Sequence, residues 1–149
     1  MQKTRFRSIG PALILIPLGG IVGLILTFLF YALVYNLLES IFYPHDPQSF
    51  PADYVRSACA LVLVLLYLVI DRIRMPDLLK AILMIPPVAM LVAAAILFFY
   101  TKPAMFIPLM LAIPILVAVL LYRARRPWFY YYALGIAALA AILYAWPRI

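Results

Sequence analysis

Between Ile9 and Tyr43 the chain runs for thirty-five residues with a single charged side chain, Glu39, near the far end. About 20 consecutive apolar residues suffice for a helix to cross the roughly 30 Å of hydrocarbon in a bilayer. Inside lipid a backbone has to satisfy its own hydrogen bonds, which a helix does within one segment. This one run already points to a helical membrane protein. The remainder agrees: 69% of the 149 residues are hydrophobic and 11% charged, against about 45–50% apolar and about 25% charged in an ordinary soluble domain. A soluble fold of this length has nowhere to hide so much apolar surface, so lipid is the solvent for most of the chain.

The run is too long for one crossing, since a straight helix of that length measures roughly 50 Å. Pro17, Gly19 and Gly20 mark the expected break: proline removes an internal hydrogen bond, and glycine is a poor helix former. The expectation is an interfacial or kinked lead-in to about Leu18, then a first span over 18–38. The basic start with Lys3, Arg5 and Arg7 resembles a signal peptide, but the apolar run is too long and lacks a small-x-small cleavage site. It reads as an uncleaved first span.

Four more spans are expected, at 54–70, 78–100, 104–122 and 128–146. Together they predict an all-α protein, one polytopic domain built as a five-transmembrane-helix bundle. Ser49 reads as a helix N-cap with Pro51 in the first turn. Asp53 then sits at the positive end of the helix dipole, with Arg56 three residues on and able to pair with it. The second span reaches full length only if Arg56 snorkels to the headgroups. Asp71, Arg72, Arg74 and Asp77 form a tight charged turn, and Pro76 suits the start of the next helix. Pro86-Pro87 predicts a kink that should face protein, because lipid cannot replace the lost backbone bonds. Thr101-Lys102-Pro103 is a minimal turn, and Pro127 opens the last helix. A four-span alternative would make the third and fourth segments a re-entrant pair around Lys102.

Orientation follows from the cations. Nine of them lie on one side: Lys3, Arg5, Arg7, Arg72, Arg74, Lys80, Arg123, Arg125 and Arg126. Three lie on the other: Arg56, Lys102 and Arg148. In short loops this bias places the amino terminus in the cytoplasm and the carboxyl terminus outside. The net charge of +7 is thereby explained without nucleic acid, and the implied partners are anionic headgroups at the cytoplasmic face. Arg123, Arg125 and Arg126 beside Trp128 read as a headgroup anchor, with an acidic cytoplasmic protein as the other possible ligand.

Two small-residue patterns suggest close helix packing. Gly19 and Gly23 form a G-x-x-x-G pair, which serves packing within the chain, a partner interface or no special role. Ala133, Ala137, Ala141 and Ala145 form a ridge at four-residue spacing. The lone Cys59 cannot form an intrachain disulfide and reads as a small buried hydrophobe.

The outer loop over 39–53 gathers Glu39, His45, Asp46 and Asp53. A histidine with three carboxylates has the chemistry for a divalent metal or for general acid–base work, but the spacing fits no such motif. A loop contact with a protein is the preferred reading. The centres of the spans hold no ionisable residue, which speaks against a proton-coupled pump acting alone. Asp71, Arg72, Arg74 and Asp77 have too few acids for a magnesium-dependent lipid-phosphate site. No cofactor is implied.

The sequence therefore favours a non-enzymatic membrane subunit that packs against another membrane protein or its own copy, using small-residue ridges beyond the needs of one bundle. A small transporter or binding component for an apolar or lipid-like ligand is the alternative, with its cavity framed by Pro86-Pro87, Pro108 and Pro114. A membrane enzyme using the outer loop on a lipid-linked substrate is the third. Compactness and the lack of a transit peptide suggest a prokaryotic plasma membrane.

Overall fold

The computed structural model describes residues 9–42, 50–99 and 103–145. Among them the chain forms five α-helices and no strand: α1 Ile9–Phe42, α2 Ala52–Arg72, α3 Asp77–Phe99, α4 Pro103–Arg123 and α5 Trp128–Ala145. Of these, α1, α2 and α3 are long and apolar enough to cross a membrane. The apolar helices α4 and α5 have 21 and 18 residues. The ends of α2 to α5 lie within two residues of the limits drawn from hydropathy.

The expected break in α1 is absent. The helix runs for 34 residues with Pro17 inside it. A break in lipid would leave more backbone groups without partners than the one bond that proline removes. The glycines beyond Pro17 instead serve close approach. A Cβ at Gly19 would stand 2.7 Å from Ile82 Cγ2, one at Gly20 2.7 Å from Ile85 Cδ1, and one at Gly23 2.8 Å from Pro86 Cγ. These contacts climb both helices in the same direction, so α1 and α3 run parallel.

The centre of the bundle is α3, which packs against all four other helices. Thirteen of its 23 residues are buried, Pro86 and Pro87 included, so the proline pair faces protein. In lipid, hydrophobicity does not distinguish inside from outside, because acyl tails are as apolar as leucine; closeness of packing does. The helix carries Ala81, Ala89, Ala93 and Ala94 among its buried residues. The ridge of α5 meets it: Ala133 and Ala137 are fully buried and Ala141 nearly so, in one core with Ile85, Val92 and Ile96. The outward leucines, isoleucines and phenylalanines of α1, α2 and α4 remain exposed, as a lipid-facing surface requires.

Successive helices alternate in direction, which gives the bundle two chemically distinct ends. At one end Pro11 and Ala12 of α1 share a small recess with Leu78, Trp128 and Phe129, the starts of α3 and α5. Arg72, Arg74, Lys80, Arg123, Arg125 and Arg126 belong to this basic end. At the other end Tyr35 meets Phe50 edge-on at 4.8 Å, and Tyr54 meets Phe98 at 5.8 Å.

The glycine seam is testable. Gly23→Ala drives a methyl into a proline ring that cannot swing aside, and should lower stability by about 1–3 kcal/mol. Gly135→Ala meets nothing within 4 Å and should be neutral or raise stability by up to about 1 kcal/mol. Thermal unfolding of both variants in the same detergent checks the contrast.

Candidate functional site

Two places bring chemistry together, one at each end. At the basic end Asp71, in the last turn of α2, is the focus. Arg126 Nη2 donates to Asp71 Oδ2 at 2.5 Å across 55 residues of sequence. Lys80 Nζ donates to the main-chain oxygen of Asp71 at 2.5 Å and lies 3.9 Å from its Oδ1. Arg126 also stands 3.9 Å from Asp77 Oδ1, and its Cζ lies 5.2 Å from the centre of the Tyr130 ring. Lys80 and Tyr130 are buried.

The turn after α4 aims Arg126 at this cluster. Arg126 N–H donates to Leu121 O at 3.1 Å and Arg125 N–H to Tyr122 O at 3.0 Å. This is the double bond pattern that closes a helix through one left-handed residue. Arg125 is that residue, with φ 50°, where glycine is usual. The reversal points Arg126 inward and leaves Arg123 and Arg125 exposed. With Tyr122, Arg126 and Tyr131 they border a polar recess of about 540 Å³. The cluster ties three helices together at one end and balances two acids, Asp71 and Asp77, against two cations, Lys80 and Arg126.

The second place lies in the other half of the bundle. A groove of about 430 Å³ runs between α1, α3 and α5. Leu24, Phe28 and Tyr31 form one wall, Pro86, Met90 and Ala93 the floor, and Ala140 and Tyr144 the other wall. It follows α1 from Leu24 to Tyr31, about 10 Å of helix axis, from the middle of α3 toward the aromatic end. Thr27 and the two tyrosines are its polar contributors. The volume lies within the roughly 300–1,000 Å³ typical of small-ligand sites.

Behind Tyr31 sits Arg56. Its Cζ is 5.9 Å from the Tyr31 ring centre, and Nη1 donates to Asp53 Oδ1 at 2.9 Å. The pairing expected from sequence is thus present, and it draws the guanidinium one turn toward the start of α2; the Arg56 side chain is 8% exposed while Asp53 is 55% exposed. The Nε of Arg56 is buried without a hydrogen-bond partner.

The remaining sequence candidates are placed as follows. Gly19, Gly23, Ala133, Ala137 and Ala141 all pack within the chain. Glu39 is half-buried near the end of α1, and Asp53 opens α2. His45, Asp46 and Ser49 lie outside the described residues; the position before α2 is held by Pro51, whose carbonyl accepts from Val55 N–H at 3.2 Å. Trp128 is partly exposed, with Tyr132 at 6.3 Å. Cys59 is buried and unpaired. Among the described residues no group of three His, Cys, Asp or Glu side chains is placed to hold a metal ion. Of the prolines expected to frame a cavity, Pro86 lines this groove, and Pro108 and Pro114 lie on α4, which does not border it.

Sequence reasoning missed the groove. Its residues come from three helices, and only the rotation of each helix about its own axis brings them together. No known protein family, curated protein or solved structure matches the chain.

The ion lock can be weighed directly. Asp71→Asn and Arg126→Gln should each destabilise the protein, and the double variant should lose less than their sum. A coupling of about 1–2 kcal/mol is expected for contacting charged groups, measured by chemical unfolding in detergent.

Proposed function

We propose that the chain is a non-enzymatic five-helix component of a cell membrane that holds an apolar or lipid-like ligand in the groove between α1, α3 and α5. The groove carries this reading. It is a concave, almost wholly apolar space beside the chain's most buried helix, and its walls contain no ionisable side chain apart from tyrosine hydroxyls. Such a lining suits retention of a hydrocarbon chain and offers no group for acid–base or nucleophilic work.

The expectation of a partner subunit rested on small-residue ridges left over once the bundle had formed. Gly19, Gly23, Ala133, Ala137 and Ala141 pack inside the chain, so they do not by themselves call for a partner, and the groove is the feature that favours a ligand. An enzyme acting through His45 and Asp46 has no described geometry behind it.

In this reading all five helices cross the bilayer and the basic end faces the cytoplasm. Helix alternation supports the first point, and the gathering of Arg72, Arg74, Lys80, Arg123, Arg125 and Arg126 at one end supports the second. The groove then opens in the outer half of the membrane. Arg123, Arg125 and Trp128 meet anionic headgroups on the inner side.

Two measurements test this. In a Cys59→Ala background, a membrane-impermeant maleimide applied to intact cells should label Gln48→Cys and spare Arg125→Cys; the reverse pattern inverts the topology. For the ligand, the purified protein in phosphatidylcholine nanodiscs is photolabelled with a diazirine-bearing 16-carbon alcohol. Labels should concentrate at Met90 and Tyr144, and Ala140→Trp should reduce them on the order of tenfold, equivalent to about 1.4 kcal/mol. Labelling spread evenly over the outer faces of α1 and α2 overturns the reading.

A further inference from the structure

We infer that the occupant of the groove is a single-tailed anionic amphiphile, its tail between α1, α3 and α5 and its charged head at the Tyr31–Tyr144 rim, held in the field of the buried Arg56. The inference rests on the proposed apolar-ligand reading and specifies the chemistry of the ligand's head.

Three observations carry it. First, the Arg56 guanidinium lies out of solvent while its one ion-pair partner, Asp53, faces solvent. An exposed carboxylate interacts through a high dielectric and is mostly screened, so it neutralises a buried cation poorly. The guanidinium keeps a positive field at its contact with Tyr31, and its buried Nε has no hydrogen-bond partner. Buried cations persist when they are paired, and an unmet buried donor calls for a missing partner.

Second, the Tyr31 ring lies against the guanidinium from α1, and the same ring forms the head wall of the groove. Tyr31 therefore connects the cation to the apolar space. Tyr144 stands across the rim. Two hydroxyl donors beside a cation suit a carboxylate or phosphate oxygen.

Third, position and size agree. The groove covers only about 10 Å of axis and ends at the level of Arg56, near the start of α2. A head placed there lies near the membrane boundary while the tail points toward the bilayer middle. A space of about 430 Å³ between three helices takes one chain. A second copy of the protein would have to insert a helix into a groove lined by Tyr31 and Phe28, and would leave Arg56 unmet.

The test uses the full-length protein in phosphatidylcholine nanodiscs at pH 8. Two diazirine probes of equal length are compared, a 16-carbon carboxylic acid and the corresponding alcohol, with labels mapped by mass spectrometry. The acid should label Met90 and Tyr144 about tenfold more than the alcohol at equal concentration. Arg56→Gln should abolish that preference while leaving alcohol labelling unchanged, which also reports that the variant is folded. Arg56→Lys should keep most of it. Equal labelling by acid and alcohol in the wild-type chain overturns the anionic head and leaves the apolar-ligand reading standing. No groove labelling by either probe overturns both. Phosphatidylglycerol displacing the acid as efficiently as unlabelled palmitate does overturns the single tail. If Arg56→Gln loses both labels, Tyr31→Phe with Tyr144→Phe decides: a retained acid preference there refutes the rim assignment.

Discussion

The bundle depends on how closely backbones can approach α3. In water, burying apolar surface would drive the helices together; in lipid that term nearly vanishes, and contact distance takes its place. Each wall of α3 meets this constraint differently. Toward α1 the partner residues are Gly19, Gly20 and Gly23, set against Ile82, Ile85 and Pro86. Toward α5 the partners are Ala133, Ala137 and Ala141. Pro86 and Pro87 remove two backbone donors from the middle of α3, and their burial keeps the weakened stretch of helix away from the tails. The groove is the residue of the same geometry. Between α1 and α5 it is lined by small side chains, Ala89, Ala93, Ala140 and Ala141, which leave the gap unfilled.

Polar contacts are divided between the ends. At the basic end Asp71 draws Lys80 and Arg126 onto one carboxylate and one carbonyl, linking α2, α3 and the turn before α5. At the aromatic end ring edges and the Arg56–Asp53 pair make the links. Among the described residues the middle of the bundle carries no Asp, Glu, Lys, Arg or His. This arrangement keeps the charges toward the helix ends, with Arg56 and Lys80 buried there against their partners.

Much of this was legible in the sequence, and the limits have physical causes. The helices could be read because lipid imposes length and hydropathy on every crossing segment. The Asp53–Arg56 pair could be read because three-residue spacing places two side chains on one helix face. The burial of Pro86-Pro87 followed from the demand that backbone groups find partners. At Pro17 the helix continues without a break, because propensity is local whereas the alternative to a helix in lipid is far worse than one missing bond. Arg126 was read with its neighbours Arg123 and Arg125, since nothing in the spacing reveals that a left-handed residue at Arg125 turns one of three arginines inward. Arg56 and the groove stayed hidden because they depend on which face each helix turns to its neighbours.

The seam between α1 and α3 has a thermodynamic consequence. Glycine and proline have no rotamers to lose on association, and isoleucine in a helix is already confined almost wholly to one χ1 state. Alanine, along α5, contributes none either. At these glycine, proline and alanine positions docking freezes very little side-chain motion, so the entropic penalty that grows with heating falls on the larger core residues such as Met84, Leu134 and Tyr130. The surfaces also have no means of adapting: they are closer to two machined parts than to interlocking fingers, and their fit tolerates warming far better than it tolerates an added methyl.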